Sequence, residues 1–340
     1  MTKNKMAILN NTVLHIATDQ KFLIPFIDII SKYYNINDHK FFLINKKNER
    51  IPHDYIIFIN KRSQIFKILF ELNKNKKIIL HGLFSNELLT VLFFQPWVLK
   101  RCYWAMHGGD FYFPEKQSWV KKKIIKNIRN FITYLEGDFD YVKNLYGAKG
   151  KYHECFMYPS NLYKEHSLDS KDDSTVNIQI GNSADPSNNQ IEILEKIKKY
   201  KNMNIKIFAP LSYGGEQSYV DTVISKGKEI FGDRFIPLLN FMKSEEYLDF
   251  LGNIDIAIFA HRRQQAMGNI ITLLGLGKKI YIRTSITSWQ FFKDIDVRLF
   301  DYNQLNLDSM DKITKKANSD KIKSYFSEEN YLKQLQSFLN

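Results

Sequence analysis

Cysteine is nearly absent from this chain: Cys102 and Cys155 are the two in 340 residues. Two cysteines build no disulfide framework, so the fold rests on a buried core, and the thiols read as reduced, as in a cytosolic protein. Long apolar runs are missing too. The opening stretch MTKNKMAILNNTVLHIATDQ lacks an apolar segment of signal-peptide length. No run of about 20 apolar residues is available to cross a bilayer, so the chain reads as soluble or peripheral. There is no GxGxxG fingerprint with an acidic residue about 20 positions on, and no P-loop. The eight histidines and two cysteines show no tight metal-ligand spacing. Internal repeats and low-complexity segments are also lacking.

What remains is a chain rich in core-forming residues, 44% hydrophobic and 14% aromatic, with a net charge of +13. That charge is uneven. Residues 1–170 carry 26 basic against 15 acidic side chains, and residues 171–340 carry 23 against 21. An excess in one half suggests that this half meets something anionic. Compositional drift in a Lys-, Asn- and Ile-rich chain is the plain alternative.

Strand-like and helix-like segments alternate. TVLHIAT (12–18), FFLIN (41–45), YIIFIN (55–60), KIILHG (77–82) and CYWAMHG (102–108) read as buried strands, with helical patterns at 21–34 and 64–75. A second set follows at 176–181, 204–210, 234–240, 254–260 and 278–284, with helices at 189–200 and 217–232. Two such sets predict two α/β domains with mostly parallel sheets, residues 1–160 and 175–325, joined by the polar stretch 160–175. Residues 326–340 form a C-terminal helix that could pack back on the first domain.

In doubly wound sheets, ligands sit beyond the carboxyl ends of the strands, and with two domains the expected site is the cleft between them. The loops leaving the strands therefore carry the candidates. IQIGNSADPSNNQIEIL (178–194) joins a strand, a glycine turn and a helix start. Its free N–H groups would favour an anion, or Ser and Asp would simply cap the helix. PLSYGG (210–215) offers glycines for close backbone approach, beside Tyr213. AHRRQQAMGNI (260–270) places Arg262 and Arg263 to counter a diphosphate, and Gln264, Gln265 and Asn269 to bond a sugar or base. In the first half, HGLFSNE (81–87) and WAMHGGDFYF (104–113) follow strands. Asp110, after a glycine pair, is the candidate general base, with His107 and His81 as alternatives. The Asp-x-Asp of GDFD (137–140) is read as a surface turn, not a metal site.

IGNSADPSNNQI, APLSY, EYLDFLGNIDIAIFAHRRQQAMGNIITLLGLGKKIYI and SWQFF, with LHGLFSNELL and YWAMHGGDFY, resemble the TDP-N-acetylfucosamine:lipid II N-acetylfucosaminyltransferase family over roughly residues 77–300. The pattern departs from that family at Ala266-Met267, at His261 and at the doubled arginine. The resemblance implies a GT-B fold, two facing Rossmann-like domains with an interdomain cleft. It implies a TDP-sugar donor held by the C-terminal domain and transfer of 4-acetamido-4,6-dideoxygalactose to an undecaprenyl-pyrophosphate-linked glycan. Gly181, Asn182, Ser183, Ser187, Asn188, Tyr213, Arg263, Gln264, Gln265, Gly268 and Asn269 then become candidate donor-binding residues. Helix N-termini and basic groups take the leaving diphosphate, with no metal and no cofactor.

A polyprenyl-linked acceptor stays in the bilayer, so the enzyme must come to an anionic membrane surface. LLTVLFFQPWVLKRCYW (88–104) combines aromatics such as Trp97 with Lys100 and Arg101, and the stripe SWVKKKIIKNIRNFITYL (118–135) with Lys121, Lys122, Lys123 and Lys126 has the pattern of an interfacial amphipathic helix. The alternative is an ordinary helix packed on the sheet with its lysines in water. The reading is a peripheral glycosyltransferase on the cytoplasmic face of a bacterial inner membrane. Its rivals are a soluble nucleotide-sugar-processing enzyme and a nucleic-acid-binding protein. The latter is disfavoured because no recognition module accompanies the charge.

Overall fold

The structure, a computed structural model, describes residues 10–44, 51–166 and 175–339. Of the expected linker, residues 167–174 lie outside the described residues. The chain divides into two compact units, Met1–Ser160 with Tyr331–Asn340, and Asn161–Asn330.

The first unit runs β1 (Asn10–Ala17), α1 (Gln20–Tyr33), β2 (His39–Ile44), β3 (Ile56–Ile59), α2 (Ile65–Lys74), β4 (Asn75–His81), α3 (Asn86–Phe94), β5 (Cys102–Ala105), α4 (Gly108–Phe111), α5 (Trp119–Asn127), β6 (Asn130–Ile132), α6 (Glu136–Tyr146) and β7 (Lys151–His153). Its seven strands lie in the order β3, β2, β1, β4, β5, β6, β7, and every pairing is parallel. Strands buried on both faces need apolar residues at consecutive positions, not alternate ones, and Ile78, Ile79 and Leu80 of β4 are all buried. Helices need one apolar stripe, and α1 buries Leu23, Phe26, Ile27 and Ile30 at helical spacing. Asp19 starts α1 by accepting from the Lys21 N–H at 2.8 Å.

The second unit runs β8 (Val176–Ile180), α7 (Gln190–Ile197), β9 (Ile205–Pro210), α8 (Gln217–Phe231), β10 (Phe235–Leu238), α9 (Ser244–Gly252), β11 (Ile256–Phe259), α10 (Met267–Gly275), β12 (Lys279–Ile282), α11 (Thr287–Asp294), β13 (Phe300–Asp301) and α12 (Lys312–Tyr325). The six-stranded sheet is ordered β10, β9, β8, β11, β12, β13, again all parallel. Ile178, Ile180, Ile207 and Ile258 centre its core.

The last helix, α13 (Glu328–Leu339), is secured to the first unit from Tyr331 onward. The Tyr331 hydroxyl donates to the Met157 carbonyl at 2.6 Å, and Gln334 Oε1 accepts from the Phe156 N–H at 3.1 Å. Lys77 Nζ donates to the carbonyls of Phe338 and Leu339 at 2.6 and 2.7 Å. An ammonium at a helix C-terminus satisfies orphan carbonyls and complements the dipole.

Two expectations are corrected. Residues 118–135 are not one amphipathic helix: α5 stops at Asn127, and Phe131 and Ile132 belong to β6, which pairs with β5. A strand of three residues is too short to show a period of two. The Asp-x-Asp pair lies within α6, not on a surface turn, with Asp138 in the helix's first turn and Asp140 exposed beyond it. Asp138 is buried and accepts from the Tyr112 hydroxyl at 2.5 Å.

Candidate active site

Each sheet has one point where strand order reverses around its first strand, between β1 and β4 and between β8 and β11. Connections leave such a point in opposite directions and open a crevice at the carboxyl ends. In both units the candidate residues gather there.

In the first unit a cavity of about 800 Å³ opens at the ends of β1, β4 and β5. Asp19, Phe22, His81, Phe84, His107 and Tyr158 line it, and Glu87 stands at its wall. Gly82 lets the chain turn out of β4. Its φ is +89°, and a Cβ there would lie 2.6 Å from the Phe84 ring.

Asp110 is not among the lining residues. It is fully buried. Its Oδ2 accepts from the Leu83 N–H at 2.9 Å and from Trp104 Nε1 at 3.0 Å, and its Oδ1 accepts from the His107 N–H at 3.1 Å. Burial pushes its pKa up to about 7, against the pull of those three N–H donors. A carboxylate so enclosed ties the β4 and β5 loops together. It is fully buried and does not line the cavity, which corrects the expectation that it meets an acceptor hydroxyl.

His81 and His107 do reach the cavity, and Tyr158 joins them. Its hydroxyl lies 3.0 Å from His81 Nδ1 and 3.2 Å from His107 Nε2. Burial holds His107 at about 4, although the neighbouring Asp19 raises it, and burial with the His107 charge holds His81 at about 3. Both are therefore neutral near pH 7. Sequence reasoning missed Asp19 and Tyr158. Asp19 carried a signal, since it follows the expected strand 12–18 at its carboxyl end. Tyr158 carried none, because it arrives from a non-regular segment after β7.

In the second unit the loops after β8 and β11 meet. Ser187 Oγ lies 2.9 Å from Gln265 Oε1, and Asn189 Nδ2 donates to the Ala260 carbonyl at 2.9 Å. Asn188 is fully buried. Its Oδ1 accepts from the Asn182 N–H at 2.8 Å and lies 2.9 Å from His261 Nε2, while its Nδ2 donates to Ser183 Oγ at 3.0 Å. Gly181, at φ +65°, leaves room for that amide, since a Cβ would lie 2.7 Å from Asn188 Oδ1. Gly181, Ser183 and Asn188 thus shape the turn from within and do not face outward. Asp185 supplies the capping that the plain alternative foresaw, accepting from the Ser187 N–H at 2.8 Å.

The outward groups are Tyr213, Arg263, Gln264 and Gln265, with Asn182 half-buried behind them. Asn182 Nδ2 reaches the Tyr213 hydroxyl at 3.4 Å, and its buried Oδ1 has no partner among the described residues. Arg263 donates to the Gln264 carbonyl at 2.9 Å. Gly268 lies in the first turn of α10, and Asn269 accepts from the Tyr247 hydroxyl. Arg262 is drawn toward Glu192 at 3.9 Å. Glu192 is also gripped at 2.7 Å by Arg283, which follows β12 and which sequence reasoning did not select.

The basic candidates are scattered in role. Arg101 is committed inward, donating to the carbonyls of Asn75 and Leu72, which corrects its assignment to a lipid face. Lys121 is half-buried. Lys100, Lys123 and Lys126 are exposed, and Lys122 is half-buried. Around them Phe94 is 70% exposed, Trp97 55% and Trp119 64%. Among the described residues no helix is long and apolar enough to cross a membrane, and no group of three or more His, Cys, Asp or Glu could hold a metal ion.

Solved structures share this two-unit fold. A UDP-forming trehalose-phosphate synthase from Burkholderia xenovorans is 10% identical, covering 97% of this chain and 98% of its own, with a TM-score of 0.65. WaaG, a glycosyltransferase involved in lipopolysaccharide biosynthesis, is 8% identical over 96% and 98%, with a TM-score of 0.62. Anabaena HepE in complex with UDP is 12% identical over 96% and 95%, with a TM-score of 0.61. The class is the α/β fold of GT-B glycosyltransferases. Residues 6–340 match the 4-alpha-L-fucosyltransferase family, glycosyl transferase group 56, and the chain belongs to that family. It is a glycosyltransferase.

Two outcomes follow for stability. Asp110→Asn sets an amide N–H against at least one of the three donors, whichever way the amide turns. It should cost about 1–3 kcal/mol in denaturant unfolding. A variant as stable as the parent but slow in turnover would return Asp110 to the role of base. The second outcome concerns pH. Burial holds six of the eight histidines low: His15, then His39, His107 and His153 at about 4, and His81 and His261 at about 3. A depressed folded pKa means that the unfolded chain binds the proton more readily. Their stabilisation is complete above about 6.5 and is lost as pH falls toward about 3. Asp110, raised, acts in the opposite sense over a similar range, but it is one group against six. The thermal midpoint should therefore drop across that window, and a flat profile would contradict neutral burial.

Proposed function

We propose that this glycosyltransferase takes a nucleoside-diphosphate sugar on the second unit and a lipid-linked glycan at the cavity of the first. The observation that carries the donor reading is the meeting of the β8 and β11 loops. It sets the helix starts of α7 and α10 and the side chains of Arg263, Gln264 and Gln265 together at a switch point, with Asn182 Oδ1, which has no partner among the described residues, buried beside them. Aligned N–H groups and a guanidinium suit a diphosphate, and amides suit a sugar or base. HepE, which shares the fold, is described in complex with UDP, which supports a nucleoside diphosphate as ligand.

The sugar we infer is 4-acetamido-4,6-dideoxygalactose on a TDP carrier. It has the 6-deoxygalactose skeleton that the family's fucosyl transfer uses. The acceptor is a polyprenyl-pyrophosphate-linked glycan in surface polysaccharide synthesis, met at the cytoplasmic face of the inner membrane. As the anomeric carbon–oxygen bond breaks, the helix starts and Arg263 stabilise the negative diphosphate, with no metal in that role. The acceptor hydroxyl must lose its proton as its oxygen bonds to carbon. His107 serves as the base, neutral and cavity-facing with Asp19 beside it.

Phe94, Trp97 and Trp119, with Lys100, Lys122, Lys123 and Lys126, form the face that meets anionic lipid. Aromatic rings favour the headgroup boundary, and each nearby lysine adds about 1 kcal/mol.

Gln264→Ala should weaken nucleotide-sugar binding about tenfold in calorimetry, the loss of one hydrogen bond to a charged or polar ligand, with the thermal midpoint unchanged. Undiminished affinity would remove this loop from the donor site. Lys122→Glu, Lys123→Glu and Lys126→Glu together should reduce co-sedimentation with anionic vesicles by at least about 10²-fold. Turnover of a water-soluble acceptor analogue should stay unchanged. Equal vesicle binding by parent and variant would clear this face of a membrane role.

A further inference from the structure

Behind the first-unit cavity lies a chain of four histidines and a tyrosine that substrate binding leaves unexplained. Tyr158 bonds His107 Nε2 at 3.2 Å and His81 Nδ1 at 3.0 Å. His81 Nε2 then meets His15 Nδ1 at 3.0 Å, and His15 Nε2 meets His39 Nδ1 at 2.9 Å. Both nitrogens of His81 and of His15 are used, one on each side. The path crosses three adjacent strands obliquely. His81 pairs with Ala17 at the carboxyl end of β1, and His39 pairs with Val13 nearer its amino end. His107, Tyr158 and His81 line the cavity, whereas His39 is half-exposed, and among the described residues its Nε2 has no partner. Aromatic rings wall the chain. His15 stacks on Phe41 with centroids 4.5 Å apart, and Phe26 stands 5.4 Å from it.

A merely structural polar cluster needs its donors and acceptors satisfied, and nothing more. This one is continuous from a cavity to a half-exposed end, and it is built from groups that can each accept a proton on one atom while releasing one from another. We propose that the chain is a proton relay that carries the acceptor hydroxyl's proton from the cavity to the amino-terminal edge of the sheet. The proposal rests on the reading that sugar transfer uses this cavity.

The protons balance. The acceptor oxygen bonds to the anomeric carbon, the carbon–diphosphate bond breaks, and the diphosphate leaves with the electron pair. The hydroxyl proton arrives on His107 Nδ1. Nε2–H of His107 passes its proton to the Tyr158 oxygen, Tyr158 passes its own to His81 Nδ1, His81 Nε2–H passes one to His15 Nδ1, and His15 Nε2–H passes one to His39 Nδ1. His39 Nε2–H releases one to water. One proton enters and one leaves, and no ring keeps a net charge. Each ring ends in its other tautomer and is reset by side-chain rotation before the next turnover. Low proton affinity along the path helps, because no member traps the proton. Burial holds His15, His81, His107 and His39 low. The charged groups facing the chain are Asp19 beside His107, and Asp38 and Lys77 beside His39.

The test is the solvent deuterium isotope effect on turnover by the full chain, measured across mixtures of light and heavy water. The parent should give a curved dependence on deuterium fraction, the mark of several protons in flight. His15→Phe keeps the stack on Phe41 and removes both nitrogens. It should lower kcat at least about tenfold, a part of what proton transfer supplies. It should also leave the donor KM unchanged and give a linear, one-proton dependence. His39→Ala, at the half-exposed end, should slow turnover and be restored by added imidazole. It serves should His15→Phe fail to fold. A folded His15→Phe, or a His39→Ala, with parental kcat and a curved dependence would overturn the relay. A slow His39→Ala that imidazole does not restore would also overturn it. If the parent itself transfers no sugar from any nucleotide-sugar, the functional reading fails instead, and the two failures are distinguishable.

Discussion

Parallel strand pairing is the constraint on which everything else depends. All eleven described strand pairings are parallel. Each strand must therefore be followed by a crossover, and every strand of a sheet ends on the same edge. That edge is the one place where loops from distant parts of the chain are forced together. Asp19, His81 and His107 are neighbours because β1, β4 and β5 lie side by side. Asn182 and Gln265 are neighbours because β8 and β11 do.

Loops at a strand edge would be mobile if nothing fixed them. Each unit solves this with one buried polar side chain behind its loops. Asp110 collects N–H groups from Leu83, Trp104 and His107. Asn188 collects the Asn182 N–H and pairs with His261. A buried acceptor with several partners costs more to disturb than any single surface bond, because each partner would be left unsatisfied in a low-dielectric interior. The cavity of the first unit and the β8 and β11 loops of the second are thus held by groups that lie behind them.

The first unit also carries many of the exposed aromatics, and several of these sit beside lysines, as Phe70 does with Lys74 and Phe113 with Lys116. Lys123 Nζ sits 5.4 Å from the centre of the Phe93 ring, and Trp119 meets that ring edge-on at 5.1 Å. A cation held against aromatic faces at a surface suits a boundary where one side is apolar and the other is charged. The helices that present this face are those whose other sides pack Ile124, Ile125, Leu88 and Leu92 into the core. One helix set therefore serves both the fold and the surface.

The sequence by itself determined the class of fold and the loops to watch. Runs such as KIIL and IDIAIF, alternating with helical stripes, specify a parallel sheet because only strands covered on both faces are apolar at every position. The stretches 178–194 and 260–270 were legible because they follow such runs. The three-residue strands β6 and β7 were not, since their period is unreadable at that length. Only the tertiary structure decided which residues in those loops face outward. In the sequence, Asp110 and Asn188 are indistinguishable from exposed catalytic or binding groups. Both turn inward because N–H groups from other strands converge on them. Tyr158 and the His15–His39 pair join the cavity's network through strand neighbours far away along the chain. Spacing along a sequence cannot encode such proximity, since it arises from the order in which the sheet sets its strands.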